Sequence, residues 1–194
     1  MLARRWRAPC SAKCDLSSPP PHPPPAPSLP QIRVYGFGGE SWSTATVAAS
    51  SYAAATQAGF SANFNYISGD NANKTKIPMT APVATRTRDE ATWQVSFFTP
   101  TSLYPAGAPV PVPTNPSVRI EPMPLSTFAV AEFGGEATEG DYKLANSLLR
   151  LALVEDGVTL APADDSWAEV WCGYDAPNDL FSRHNEAWVK IILA

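Results

Sequence analysis

The sequence predicts an α+β fold: an antiparallel sheet of eight strands curled toward a barrel, with both helices on one side covering its apolar faces. Two observations predict it. Segments of strand and helix periodicity follow one another as strand, strand, helix, strand, strand, and the whole series then occurs again. Ile32-Arg33-Val34 is answered by Val118-Arg119-Ile120 at an offset of about 86 residues, which marks an internal repeat. Strands in such a series pair antiparallel, and helices gathered on one face cover the apolar side of the sheet.

Order is expected to begin at Gln31, so that residues 31–194 form the domain. Residues 1–30 contain Pro19-Pro20-Pro21-His22-Pro23-Pro24-Pro25-Ala26-Pro27, a run that suits polyproline II and builds neither a ladder nor a core. Disorder is the expectation there. Ile32 to Tyr35 alternates and reads as the first strand, Gly36 to Gly39 breaks it, and Trp42 to Val47 is the second. Ser50 or Ser51 offers an N-cap for a helix from about Tyr52 to Ile67. Phe60, Phe64 and Ile67 fall at i, i+4 and i+7 and make one apolar stripe, and Gly69 supplies the left-handed stop. Pro78 and Pro82 push the residues before them out of the α region, so a strand is expected from about Met79 to Arg86, with its prolines at a sheet edge or at the strand's start.

Thr92 to Phe98 follows, with Trp93, Val95 and Phe97 on one face. Thr99 to Pro116 is a long proline-rich connection, a lid or a spacer. In the second half, Val118 to Glu121 and Ser126 to Phe133 read as strands. Glu139 to about Glu155 reads as a helix whose apolar face is Tyr142, Ala145, Leu148, Leu149 and Ala152. Two more strands complete the repeat: Trp167 to Tyr174, with Trp167, Glu169 and Trp171 on one face, and Ala187 to Leu193.

Composition narrows the function. The chain has 194 residues, 44% of them hydrophobic and 16% charged, and no apolar run reaches the eighteen or so residues of a transmembrane segment. Its net charge of -4 is divided unevenly: Arg4, Arg5, Arg7 and Lys13 against Asp15 give residues 1–30 a charge of +3 and the remainder -7. An acidic domain repels phosphate backbones, which argues against nucleic acid as a partner. The three cysteines, Cys10, Cys14 and Cys172, are not a disulfide framework and point to a reducing compartment, and no second Cys or His pair completes a zinc site. Met1 to Cys14 is Arg-rich and free of acids, which suits an organellar transit peptide, chloroplast before mitochondrion. Without one the protein is cytoplasmic. A plain extension and a proline-rich ligand for an SH3-type domain are the other readings of this tail.

Catalytic constellations are poorly represented. The histidines are His22 and His184, there is no Gly-x-Ser-x-Gly elbow, and Cys172 with His184 is the one pairing on offer. Asp164-Asp165 reads as a polar turn, and Asp141 lies in the first turn of a helix, where negative charge is favoured. Gly134-Gly135 precedes a helix without the Lys and hydroxyl of a phosphate loop. An enzyme is therefore not expected. Aromatic surface is plentiful, and Asn63, Lys76 and Arg86 are polar groups placed to orient a ligand's carboxylates or to face solvent.

Gly59-Phe60 with Phe64, then Tyr66-Ile67-x-Gly69-x-Asn71, then Lys76-Ile77-Pro78-Met79-Thr80-Ala81-Pro82-Val83, resembles the central motif of the SOUL haem-binding proteins. Gly173-Tyr174-Asp175-Ala176-Pro177 with Arg183-His184-Asn185-Glu186-Ala187-Trp188 resembles their closing motif, and together the likeness spans about Ile32 to Leu193. The resemblance implies a distorted antiparallel eight-stranded barrel from a duplicated unit with two flanking helices. It also implies haem or another tetrapyrrole in a hydrophobic surface cleft beside the first helix. Carried onto this chain, the cleft uses Phe60, Asn63, Phe64 and Ile67 on the helix, Met79 after it, and Arg183 and His184 in the late loop, with Lys76 pairing a propionate. Some members ligate iron through a histidine near the early strands. None lies between Gln31 and Arg183 here, so His184 is the candidate axial ligand.

The resulting expectation is a tetrapyrrole carrier or buffer whose affinity comes from apolar burial and whose orientation comes from one or two cations. The alternatives are a general apolar-ligand or protein-partner module with an effector-domain-like fold, and, behind it, a hydrolase or tetrapyrrole-modifying enzyme.

Overall fold

Alternation and capping lay down two strands, a helix and two strands in each half of the chain. The first half runs β1 (Gln31–Tyr35), β2 (Ser41–Ala48), α1 (Tyr52–Ser68), β3 (Val83–Thr87) and β4 (Thr92–Thr99). The second runs β5 (Val118–Pro122), β6 (Ser126–Gly134), α2 (Glu139–Glu155), a two-residue β7 (Thr159–Leu160), β8 (Glu169–Gly173) and β9 (His184–Ile192). The structure, a computed structural model, describes residues 31–35, 41–87, 89, 91–100, 109–175 and 183–193. The expectations for residues 1–30, for Gly36 to Gly39 and for the middle of the Thr99–Pro116 connection lie outside the described residues.

All ladders are antiparallel, in the order β1-β6-β9-β8-β3-β4-β2-β5, with β7 added beside β9. Exchanging each strand for its counterpart in the other half reverses this order and leaves it unchanged. The repeat is therefore real, and its axis passes between β3 and β8, where Thr85 pairs with Trp171, 86 positions later. No ladder among the described residues joins β1 to β5, so the sheet is not closed. It nevertheless curls on itself: Trp42 of β2 and Phe128 of β6, far apart in strand order, share one core cluster with Ala84, Val170, Cys172 and Trp188. The opposite face lies under the helices, α1 over Ala45, Phe97 and Val118, and α2 over Ala129, Ala131, Val189 and Ile191.

Both helices end as their sequences dictate. Ser51 caps α1 by accepting from the Ala54 amide at 3.3 Å, and Gly69 stops it at φ +125°, a conformation that glycine adopts without strain. Thr138 and Asp141 form a reciprocal capping box at the start of α2.

The buried face of α1, however, is Ala55, Gly59, Asn63, Tyr66 and Ile67; of the expected Phe60-Phe64-Ile67 stripe, Ile67 alone is buried. The cause is close approach. Gly59 lies against Val95 of β4, and a Cβ there would sit 2.4 Å from Val95 Cγ2 and 2.5 Å from its Cβ. One residue-turn on, the Asn63 amide donates to Val95 O at 2.8 Å and Gly59 O at 3.0 Å. Phenylalanine cannot enter so narrow a gap, so Phe60 and Phe64 are displaced to the flank. Gly59→Ala gains about 1 kcal/mol of helix propensity but forces apart a helix and strand already in contact, which costs about 1–3 kcal/mol. We expect a net loss of stability of up to about 2 kcal/mol, read as a lower urea midpoint at unchanged m-value; a raised midpoint would refute the close-approach argument.

Three further expectations are corrected. The strand after α1 begins at Val83 rather than Met79, because Pro78 and Pro82 lack donors and the intervening chain is tied down locally, Ile77 N to Ile67 O and Thr80 Oγ1 to Phe98 O. Trp167 precedes β8 and packs in the inner cluster with Trp42, whereas Glu169 and Trp171 face the helices. On α2 the buried set is Tyr142, Asn146, Leu149 and Leu153, and Leu148 is exposed.

Candidate functional site

The N-terminal halves of α1 and α2 meet above the β3–β8 seam in an aromatic cluster. Tyr52 lies 5.5 Å from Tyr142 and 5.5 Å from Trp171 between ring centroids, and Tyr142 stacks on Trp171 at 5.3 Å. Tyr142 also donates from its hydroxyl to Cys172 O at 3.1 Å and to Asn185 Oδ1 at 3.3 Å, and Asn185 in turn holds Gly135 O at 2.9 Å. The start of α2 is thereby clamped to β8 and β9. Burial pushes both phenols up, and in Tyr142 the neighbouring Tyr52 adds to it, so both remain protonated at neutral pH and act as hydrogen-bonding groups.

Beside this cluster opens a cleft of about 400 Å³. Tyr52, Thr56 and Phe60, four residues apart on one face of α1, make one wall; Val83, Thr85 and Gly173 make the floor; Tyr142, Tyr174, Arg183 and Asn185 close the far side. Its size lies in the range of small-molecule sites. Phe60 is braced by an edge-on contact with Phe97 at 5.1 Å and stacks on Phe64 at 5.9 Å, so an apolar shelf leads from the open surface to the cleft.

The residues singled out from sequence are distributed unequally around it. Phe60 and Arg183 line the cleft. Phe64 and Met79 are 47% and 46% exposed, and Lys76 is exposed with them. Asn63 and Ile67 are buried against the sheet. His184 stands on the opposite face of β9 from Arg183 and Asn185: its Nε2 lies 2.8 Å from Glu186 Oε1 and its ring meets Tyr174 edge-on at 4.7 Å. Lining residues not foreseen include Tyr52, Thr56, Tyr142, Asn185 and the carboxylates Glu136 and Asp175. Tyr52, Thr56 and Phe60 did carry a signal, a four-residue spacing in the N-terminal half of α1.

Inside the curl of the sheet lies a second polar assembly, centred on Glu186, which is 1% exposed. It accepts from Arg33 at 2.6 Å, Tyr174 at 2.6 Å and Trp188 at 2.7 Å, in addition to the His184 contact. Burial alone would push its carboxyl up; the hydrogen bonds from Tyr174, His184, Trp188 and Arg33 outweigh it and hold the group below the usual carboxylate range. Glu132, His184 and Glu186 bring their ligand atoms within 4.8 Å of one another, but the Arg33 guanidinium already bridges both carboxylates. The chemistry is that of an ion-pair cluster.

The family profile described as SOUL heme-binding protein matches residues 28–190. Heme-binding protein 2 of Homo sapiens is 31% identical over 173 residues, covering 85% of this chain and 79% of that protein. Heme-binding protein 1 of Xenopus tropicalis is 32% identical over 128 residues, covering 63% of this chain and 64% of that one. Among solved structures, the EcmrR C-terminal domain superposes with a TM-score of 0.61 at 10% identity, over 86% of this chain and all of that one, a likeness of fold.

Proposed function

The chain belongs to the SOUL heme-binding protein family, and on that premise we propose that it binds haem non-covalently in the cleft between α1 and the β8–β9 end of the sheet, as a carrier or buffer. The observation that carries this reading is the cleft itself: aromatic walls from Phe60, Tyr52 and Tyr142, with the Arg183 cation on a lining that also holds Glu136 and Asp175. Aromatic walls suit a planar macrocycle and a cation suits a propionate. Phe64 and Met79 extend the apolar surface outward and Lys76 offers a second cation. Several hundred Å² of apolar macrocycle at about 25 cal/mol per Å² offsets the loss of freedom on binding without an iron ligand. Because His184 is engaged with Glu186 on the other face of β9, the reading assigns affinity to burial and orientation. Among the described residues no hydrogen-bonded nucleophile–base pair lines the cleft, and we propose binding without turnover.

Titration with haemin should give a saturable Soret shift at micromolar concentration, and protoporphyrin should quench tryptophan fluorescence with similar affinity. Phe60→Ala removes about 1.5–3 kcal/mol of apolar contact and should weaken both about 10- to 100-fold, whereas His184→Ala should leave both in place. Absence of any Soret shift and of saturable quenching would overturn the proposal. Equal binding by unrelated apolar cations would favour a general apolar-ligand module, and a tetrapyrrole altered on incubation would favour an enzyme.

A further inference from the structure

The outer face of α2 is apolar where solvent should make it polar. Leu144, Leu148, Leu151 and Val154 are 60%, 38%, 49% and 61% exposed and fall along one side of the helix. Acids bracket this stripe. Glu139 and Asp141 lie at its start, Glu155 and Asp156 at its end, and the last turn of α2 carries no basic residue, so the carboxylates there oppose the negative end of the helix dipole. The two cations of the helix are engaged, Lys143 with Glu139 at 2.6 Å and Arg150 with Glu169 at 2.9 Å. Glu139 also accepts from the Tyr52 amide, and Asp141 is taken up in the capping box with Thr138, so an occupant of this face meets Glu155 and Asp156 and must be apolar along its middle and basic at that end.

A second copy of the domain does not meet that description. Antiparallel pairing of two α2 helices sets Glu155 and Asp156 of one beside Glu139 and Asp141 of the other, acid against acid. Size argues the same way: four side chains at these exposures offer on the order of a few hundred Å², against about 800 Å² per partner for a stable bimolecular interface. So small a patch is filled by something already tethered nearby, because a tether supplies an effective concentration in the millimolar range.

The chain contains such a segment. Residues 1–14 carry Arg4, Arg5, Arg7 and Lys13 with no acid, and Leu2 and Trp6 are their large apolar side chains. The connection to β1 is residues 15–30, whose length and proline content allow a reach of up to about 50 Å. α2 itself is about 25 Å long. Gln31, where β1 begins, pairs with Val130, and the flanking Ala129 and Ala131 form the bed on which α2 rests. We infer that residues 1–14 of this chain dock on the Leu144-Leu148-Leu151-Val154 face of α2, with Leu2 and Trp6 against the leucines and the arginines against Glu155 and Asp156. Removing the segment uncovers the stripe.

The cysteines make this testable in the full-length protein. Cys10 and Cys14 lie in the segment, and the third cysteine, Cys172, is buried. Ser147→Cys places a thiol on the exposed face of α2, and Asn73→Cys places one on an exposed loop elsewhere. Under mild oxidation at low protein concentration, the Ser147→Cys protein should form an intramolecular disulfide to Cys10 or Cys14 about tenfold faster than the Asn73→Cys protein, mapped by non-reducing peptide analysis. Changing Arg4, Arg5 and Arg7 together to Glu should erase the difference. Equal rates at the two positions overturn the inference, and so do exclusively intermolecular products, which assign the face to a second copy.

Discussion

Glu186→Ala should destabilise the domain by about 3–5 kcal/mol, seen as a large fall in the urea midpoint. Four groups converge on this carboxylate: the Arg33 guanidinium, the His184 ring, the Tyr174 hydroxyl and the Trp188 indole N–H. Alanine removes this shared acceptor from all four at once. Trp188 is fully buried, and loss of a hydrogen-bond partner at a buried donor costs about 1–3 kcal/mol. Arg33 keeps Glu132, which limits the loss on that side. Glu186→Gln, which preserves shape and one acceptor, should fall between wild type and alanine. A loss below about 1 kcal/mol for the alanine variant would mean that the network behaves as a solvated surface pair. The same carboxylate sets a pH dependence. Its folded pKa is depressed, so its contribution is fully present above the ordinary glutamate pKa of about 4.3 and is lost as pH falls through the lower folded value. Asp165, Asp141 and Glu139 are lowered as well, so wild-type stability should fall on acidification below about pH 4.3 and the Glu186→Ala protein should show a shallower slope there.

Tyr142→Ala should cost a comparable 3–5 kcal/mol. Its ring is 1% exposed, stacked on Trp171, edge-on to Phe133 at 5.1 Å and in contact with Tyr52. Truncation opens a hole where α1, α2 and the β3–β8 seam meet. Tyr142→Phe separates the two roles of the residue. It keeps the ring and removes the bonds to Cys172 O and Asn185 Oδ1, for a loss of about 1–2 kcal/mol. On the functional proposal, alanine should also weaken haem binding because Tyr142 is a wall of the cleft, whereas phenylalanine should spare it. Equal stability losses for the two variants would place the energy in the hydroxyl and not in packing.

What could be read from the sequence is what is local. Ser51, Gly69 and the first-turn Asp141 mark helix ends with their own chemistry, and Trp93, Val95 and Phe97 announce a strand face by alternation. What escaped depends on contacts distant in sequence. Gly59 and Asn63 look like breaks in an apolar stripe until Val95 is placed against them. Arg33 and Glu186 meet across more than 150 residues, and no period in the chain couples them. The standing of His184 turned on a boundary. With the last strand taken from Ala187, His184 falls in a loop and faces any direction; once β9 starts at His184, alternation puts it with Glu186 and Trp188, and Arg183 and Asn185 on the cleft side. Strand ends are set by pairing, here with Gly134 and Asn185 with Phe133, which a single strand's sequence does not display.

The exchange of outer strands between the two halves bears on how the chain finds its fold. β1 finds its partner in β6 and β5 finds its partner in β2, so each repeat donates its first strand to the other. Neither half can therefore complete its own sheet, and neither is a unit that folds first and docks later. The pairings that define the architecture close loops of roughly ninety residues, whose entropy must be met before any of them is rewarded. High contact order of this kind makes for slow, all-or-none assembly. The duplication that is so plain in the strand order is thus invisible to the folding reaction, which treats the two copies as one.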